Sequence, residues 1–364
     1  MTAPHQFFAP SYRIAREKFL AAAAARGADC LSFEHPEPGL EGETLATDVA
    51  LIGDPAARRV LVLTSATHGA EGFCGSGVAC GLLASGQLDL LPRDLRLVLV
   101  HAVNPYGFSW LQRETEDNVD LNRNFMDFAA ALPANPGYDR LHEVVAPRHW
   151  TQATVAARRA AFDRFAATEG RAALQQAITG GQYSHADGLF FGGKRPTWSN
   201  ATFRAIIART CAGARHVGFI DFHTGLGPYG TAELIADGVP GQPGYERAAV
   251  WYEHGVVSTE VGDSASARVT GAIAGGLAET LPDAAITAIA AEFGTRPLAR
   301  EVEALIARLW VRFHGDPRDE FGRQVLQEVR DCFYPDEDDW RELIWLRSCQ
   351  IVRRAIRGLS TAEA

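Results

Sequence analysis

The run Val60-Leu61-Val62-Leu63 leads through Thr64-Ser65-Ala66 into Thr67-His68-Gly69-Ala70-Glu71-Gly72. Four consecutive apolar residues read as a strand buried on both faces, the kind that parallel sheets contain. The loop after it carries an imidazole and a carboxylate three residues apart, at His68 and Glu71. That spacing can offer two ligands to one metal ion, and a third must come from elsewhere. Asp221-Phe222-His223-Thr224-Gly225 supplies a candidate, His223, at the end of a second apolar run. Two histidines plus one glutamate, with a water position left open, is a standard catalytic zinc set. The sequence therefore predicts a mononuclear zinc hydrolase, with one Zn2+ per chain held by His68, Glu71 and His223. Both halves of the set fall at predicted strand ends, where open α/β sheets place their ligands.

Outward from this stretch, further β-rich runs occur at Thr47–Ile52, Leu95–His101, Val217–Phe222 and Ala285–Ala291, with Val60–Ser65 among them. Gly and Pro bound them, and helical segments separate them. This pattern predicts a mixed or parallel, mostly buried sheet with helices on both faces. Helices are expected over residues 9–26, 75–84, 203–212, 298–313 and 339–356, with Ser199 or Asn200 as a cap for the third. Residues 151–177 are rich in Ala, Arg and Gln with few breakers and read as helix. The simplest organisation is one domain over 1–364, with a mainly helical insertion at about 126–215.

With 364 residues, 47% of them hydrophobic, the chain can bury a sizeable core. Its net charge of −9 and lack of basic clusters argue against nucleic acid or an anionic membrane as partner. No window reaches the ~18 apolar residues of a membrane span. The six cysteines form no CxxC pair, so packed free thiols in a reducing compartment are expected. A cytoplasmic location follows as the expectation. Among the 11 histidines, His101 also ends a predicted strand, but Asn104-Pro105 after it fits a structural turn.

Asn104-Pro105-Tyr106-Gly107-Phe108, then Arg113, then Asp120-Leu121-Asn122-Arg123-Asn124-Phe125 carry a more specific signal. This order of motifs resembles the zinc carboxypeptidases of the M14 type and the aspartoacylase/succinylglutamate desuccinylase branch of that superfamily. Gly180–Tyr183, Gly192-Gly193, Trp198-Ser199-Asn200, His223–Gly227 and Glu292–Thr295 resemble the subgroup called DUF2817. The resemblance implies a three-layer α/β/α fold with a mixed central sheet. It implies His68, Glu71 and His223 as zinc ligands, and Arg113 as the cation that polarises the scissile carbonyl. Asn122 and Arg123 then match the pair that grips a free carboxylate, and Glu292 the general base and acid. A guanidinium offers a planar fork to a carboxylate. A fixed cation beside a developing oxyanion favours the transition state over the ground state. The tyrosine that such enzymes place near substrate has two candidates, Tyr229 and Tyr183. The implied substrate is a small peptide or an N-acyl amino acid. The long stretch between Arg123 and His223 departs from the digestive enzymes and is expected to border and reshape the cleft.

Three rival readings are weaker. A serine hydrolase needs G-x-S-x-G, and Ser76 has its glycines adjacent instead. A dinucleotide fingerprint would need a third glycine where Cys80 stands, so Gly77 and Gly81 are better read as letting a helix approach the sheet. A catalytically silent binding module would have no use for Arg113, Arg123 and Glu292 beside a full ligand set.

Overall fold

Each apolar run divides its side chains between two cores, because successive residues of a strand face opposite ways. The computed structural model describes residues 3–361. In strand β3 (Arg59–Thr64), Leu61 and Leu63 enter one core with Phe73, Cys74 and Val78 of the helix Gly72–Ala84. Val60 and Val62 enter the other with Phe203, Ile206 and Ile207 of the helix Trp198–Thr210. Helices therefore cover both faces of the sheet, which is why the strand reads as an unbroken apolar run.

The remaining strands are β1 (Asp29–Glu34), β2 (Ala46–Ile52), β4 (Leu95–His101), β5 (His216–Tyr229), β6 (Ala232–Ala236), β7 (Val256–Val257) and β8 (Ala285–Gly294). Their order in the sheet is β1-β2-β4-β3-β5-β8-β6-β7. The four central strands β4, β3, β5 and β8 are mutually parallel, while β2 and β6 run antiparallel to their inner neighbours. The sheet is mixed and the architecture is α/β/α.

The expected helices form with shifted ends. Tyr12–Arg26 starts at Ser11, whose hydroxyl accepts from the N–H of Ile14, and stops at Gly27 in the left-handed region. The third expected helix begins earlier, at Trp198, and Thr197 caps it by accepting from Asn200 N–H, in place of Ser199 or Asn200. The stretch 151–177 forms two helices, Gln152–Glu169 and Arg171–Thr179, because Gly170 between them takes φ +95°. In the helix after β3, the glycine that meets the sheet is Gly75: a Cβ there would lie 2.7 Å from Ser65 Cβ and 2.9 Å from Phe222 Cβ. Gly77 and Gly81 instead make room for Phe8 and Trp345. All six cysteines are free, and five of them are buried. No helix among the described residues is long and apolar enough to cross a membrane.

Strand β5 does not end at His223. It pairs with β3 only as far as Thr64↔Asp221, and continues beside β8 through His223↔Glu292. The central sheet thus has a step at its C-terminal edge. The loop 65–71 folds onto the projecting part of β5, and this places His68 and Glu71 against His223.

Candidate metal centre

Glu71 is the hub of the site. Its Oε1 lies 2.9 Å from His68 Nδ1, and its Oε2 lies 2.9 Å from His223 Nδ1. The two Nδ1 atoms are 3.2 Å apart, and all three side chains are buried. Donors at zinc–ligand distances of ~2.0–2.1 Å stand about 3.3 Å apart on a tetrahedron, so this triangle needs only slight expansion to hold the ion.

The far sides of the rings explain which nitrogens are free. His223 Nε2 is 2.6 Å from Asp221 Oδ2. Asp221 is itself held, its Oδ1 accepting from the hydroxyls of Thr64 at 2.6 Å and Thr67 at 2.8 Å. His68 Nε2 is 3.2 Å from Asp120 Oδ1 and 2.8 Å from Arg113 Nη2. Only one of these can be a hydrogen bond at a time: an Nε2–H donates to Asp120, whereas a bare Nε2 accepts from Arg113. A cation at Nδ1 selects the first. With both Nε2 protons committed to carboxylates, two imidazole lone pairs and the Glu71 carboxylate face one point with no proton among them. That arrangement is repulsive without a cation and is the usual carboxylate–histidine–metal pattern with one. The residues present fit a zinc ion.

Charge in the site is dense and paired. Burial alone would raise the Glu71 carboxyl, but His68 and His223 hold it below the ordinary range. Burial likewise opposes the Asp120 carboxylate, and Arg113, Arg123 and His68 pull it well down. The net effect on His223 is upward: burial disfavours its charge, but Asp221 and Glu71 outweigh burial. Arg113 donates to Glu71 Oε1 at 3.0 Å and to Asp120 Oδ2 at 2.9 Å. Its backbone is docked too, its carbonyl accepting from Gly69 N–H at 3.1 Å and that of Gln112 from Ala70 N–H at 2.9 Å. Arg308 grips the same loop from behind, through Trp110 O, Leu111 O and Gln112 Oε1. Arg113 is therefore held in place as part of the site, and Glu114 and Thr115 after it are buried.

Asn122 and Arg123 follow on the same turn, which Asp120 caps by accepting from Asn122 N–H. Asn122 Nδ2 lies 3.4 Å from His223 Nε2 and its Oδ1 accepts from Ile273 N–H. Arg123 donates to Thr179 O at 2.6 Å and lies over the Phe190 ring, but its Nε has no partner. Glu292 stands directly opposite His223 in the β5–β8 register, and its Oε1 accepts from Leu226 N–H at 3.1 Å. Burial, then Glu71, raises its carboxyl to about 8. A cavity of about 220 Å³ joins these groups.

The two tyrosines lie elsewhere. A bulge between Gly225 and Tyr229 turns the latter outward, where its hydroxyl meets Glu337 at 2.7 Å and Asp339 at 3.1 Å. Tyr183 is buried and donates to Arg123 O at 2.6 Å, so it braces the arginine's backbone. His101 is buried 2.9 Å from Ser76 Oγ and stacked on Phe19, in keeping with a structural role. The residues that reading the motifs alone missed are Asp120, Asp221 and Phe190. A spacing signal existed for Asp221, two residues before His223 on one strand face; Phe190 had none.

Residues 8–347 match the model of the family described as "Protein of unknown function (DUF2817)". The chain belongs to the DUF2817 family. Among solved structures, this DUF2817 chain is similar to a carboxypeptidase A from Helicoverpa armigera. The two are 14% identical, with a TM-score of 0.54, over 97% of this chain and 74% of that one. That likeness shows a carboxypeptidase fold. An aspartoacylase family protein from Mesorhizobium loti is also similar, at 14% identity and TM-score 0.38, over 73% of this chain and 61% of that one. So is the murein-tripeptide amidase MpaA of Escherichia coli, at 18% identity and TM-score 0.35, over 81% and 97%. No curated protein matches the chain.

Proposed function

We propose that this DUF2817 protein is a zinc-dependent hydrolase that cleaves an amide bond next to a free carboxylate, in a peptide C-terminus or an N-acyl amino acid. The observation that carries the reading is the convergence of His68 Nδ1, His223 Nδ1 and Glu71 at one point, with Glu292 opposite His223. A zinc ion held by these three residues would supply a Lewis acid and make a neighbouring water easier to deprotonate. Glu292 takes the proton of the attacking water and returns it to the leaving nitrogen. Main-chain N–H of Leu226 aims its carboxylate for that transfer. Arg113, fixed by Glu71 and Asp120, sets a positive charge where the carbonyl oxygen gains negative charge. Arg123 and Asn122, which line the same cavity, hold the substrate carboxylate. Helix Arg171–Thr179 and Phe190 contribute Gln175, Thr179 and a ring to the cavity, so the added helical segment shapes what can enter.

The test is metal analysis of the purified protein together with turnover on a panel of free-acid peptides and N-acyl amino acids. About one zinc per chain, and hydrolysis of one class that disappears on chelation and returns with zinc, is the expected result. Zinc-loaded protein that hydrolyses neither class would refute the reading.

A further inference from the structure

A second gathering of histidines and carboxylates lies outside the cavity, where helix Pro136–Val145 meets the loop 182–191. His142 from the helix, with His185 and Asp187 from the loop, bring one ligand atom each within 4.8 Å of one another. The two imidazoles are stacked, their centroids 3.8 Å apart and their planes 16° from parallel. Asp139, one turn before His142 on the helix, places Oδ1 2.9 Å from His185 Nε2. Asp187 Oδ1 is 3.4 Å from His142 Nε2. Among the described residues these two rings are the only ion-pair partners of the two carboxylates, so no lysine or arginine answers their charge.

Each ring has one nitrogen suited to a metal. A carboxylate can only accept, so Asp139 holds a proton on His185 Nε2 and leaves Nδ1 with its lone pair. Asp221 orients His223 in the same way. Burial, then His185, lowers the pKa of His142, so this ring is uncharged at neutral pH. Its Nδ1 is buried, which leaves Nε2, beside Asp187, to meet a ligand. Stacked rings aim their lone pairs side by side, so closing the set on one ion takes rotation of the His185 ring and the Asp187 carboxylate. Both side chains are partly exposed and have room for it. The backbone that carries them is already fixed. Asn118 Nδ2 donates to Ala186 O at 3.0 Å and to Gly188 O at 2.9 Å, and Leu189 N–H donates to the Tyr138 hydroxyl at 2.7 Å. Only side-chain torsions therefore remain to be ordered on binding, which keeps its entropic cost low.

We propose that His142, His185 and Asp187 form a second, weaker site for a divalent transition metal, with Asp139 orienting His185, and that metal bound there ties the loop 182–191 to helix Pro136–Val145. Two imidazoles and one carboxylate suit zinc, copper or nickel, whereas magnesium and calcium take all-oxygen sets. The loop matters to the cavity. Its Phe190 ring lies 4.9 Å from the Arg113 guanidinium and 5.7 Å from that of Arg123, and its Tyr183 hydroxyl donates to Arg123 O. Metal at the second site therefore stiffens the support beneath both arginines. The inference does not depend on the hydrolase reading, since none of its four residues lines the cavity.

The experiment titrates the zinc-loaded full chain with further Zn2+ and, separately, with Mg2+, by calorimetry, with bound metal counted by atomic emission. The expected result is one further equivalent of zinc, none of magnesium, a higher melting temperature and slower hydrogen exchange in residues 182–191. His185→Ala and Asp187→Ala should lose the further equivalent and keep the first, and His223→Ala should do the reverse. Asp139→Asn should weaken the further equivalent ~10–100-fold, the usual cost of losing such a partner. Circular dichroism melts without added zinc confirm that the variants fold. Absence of a further equivalent in the wild type, or its persistence in folded His185→Ala, overturns the site. A further equivalent that His185→Ala removes but that leaves exchange in residues 182–191 unchanged overturns the tie to the loop. If the first zinc site fails instead, His223→Ala still reads the second one alone.

Discussion

Nδ1 of His68 and Nδ1 of His223 face each other at 3.2 Å, though 155 residues separate them in the chain. Each also lies 2.9 Å from an oxygen of Glu71, so the three donors face one point that a cation can occupy in place of a proton. His68→Ala and His223→Ala are expected to lose zinc and activity together, read by atomic emission and by turnover. Chelation of the wild type should lower its melting temperature, because bound metal adds its binding free energy to the folded state. Full zinc occupancy in both alanine variants would rule out these ligands.

Asp221 offers a subtler test. Its carboxylate can only accept, and its Oδ2 is 2.6 Å from His223 Nε2. Asp221→Asn allows an amide N–H to point at Nε2 and so permits the tautomer whose Nδ1 carries the proton. Loss of such a partner typically weakens metal affinity ~10–100-fold. Competition against a fluorescent chelator should show that loss, with the fold preserved. Unchanged affinity would mean that Asp221 does not set the tautomer.

Arg123 faces a different demand, a planar anion. Arg123→Lys keeps charge but loses the fork, and Arg123→Ala loses both, so kcat/KM on free acids should fall in that order. For the wild type, C-terminally amidated analogues should be much poorer than free acids. Equal turnover of amidated and free-acid substrates would remove the carboxylate clamp from the mechanism.

The central sheet was legible because its strands are buried on both faces, as at Val60–Leu63 and Leu97–Val100. The edge strands were not. Asp29–Glu34 is half exposed and of mixed polarity, and Val256–Val257 is two residues long. His68, Glu71 and His223, which spacing pointed to, and Arg113, Asn122, Arg123 and Glu292, which the resemblance implied, all line one cavity. Spacing could not show that Tyr229 turns outward, since a bulge in β5 decides that. Nor could it reveal Phe190, which depends on how the loop 182–191 folds back under Arg113 and Arg123.

His101 gives a pH prediction independent of the metal. Burial pushes its pKa down to about 4, against the opposing pull of Asp48, which pairs with it in the β2–β4 register. Between that value and the ordinary 6.5, the unfolded chain binds the proton and the folded one does not. This contribution is fully present above about pH 6.5 and is lost as pH falls toward about 4, at most about 2 kcal/mol by pH 5. Urea unfolding at about pH 7.5 and about pH 5 should therefore show a steeper loss in the wild type than in His101→Gln. Parallel losses would mean that His101 is already protonated in the folded protein.

Glu292 stands opposite His223, yet its Oε1 is engaged by Leu226 N–H rather than by the histidines. It is close to the ligand set without belonging to the donor triangle. Glu292→Gln keeps the shape and still accepts from Leu226 N–H, but it cannot take a proton from water. General acid–base groups contribute ~10²–10⁴-fold, so kcat should fall at least about a hundredfold while zinc content, melting temperature and substrate affinity stay near wild type. Zinc loss in this variant would make Glu292 a ligand. Near-normal turnover would remove Glu292 from the mechanism and turn attention to Glu301, a buried carboxyl in the same cavity that burial raises to about 7.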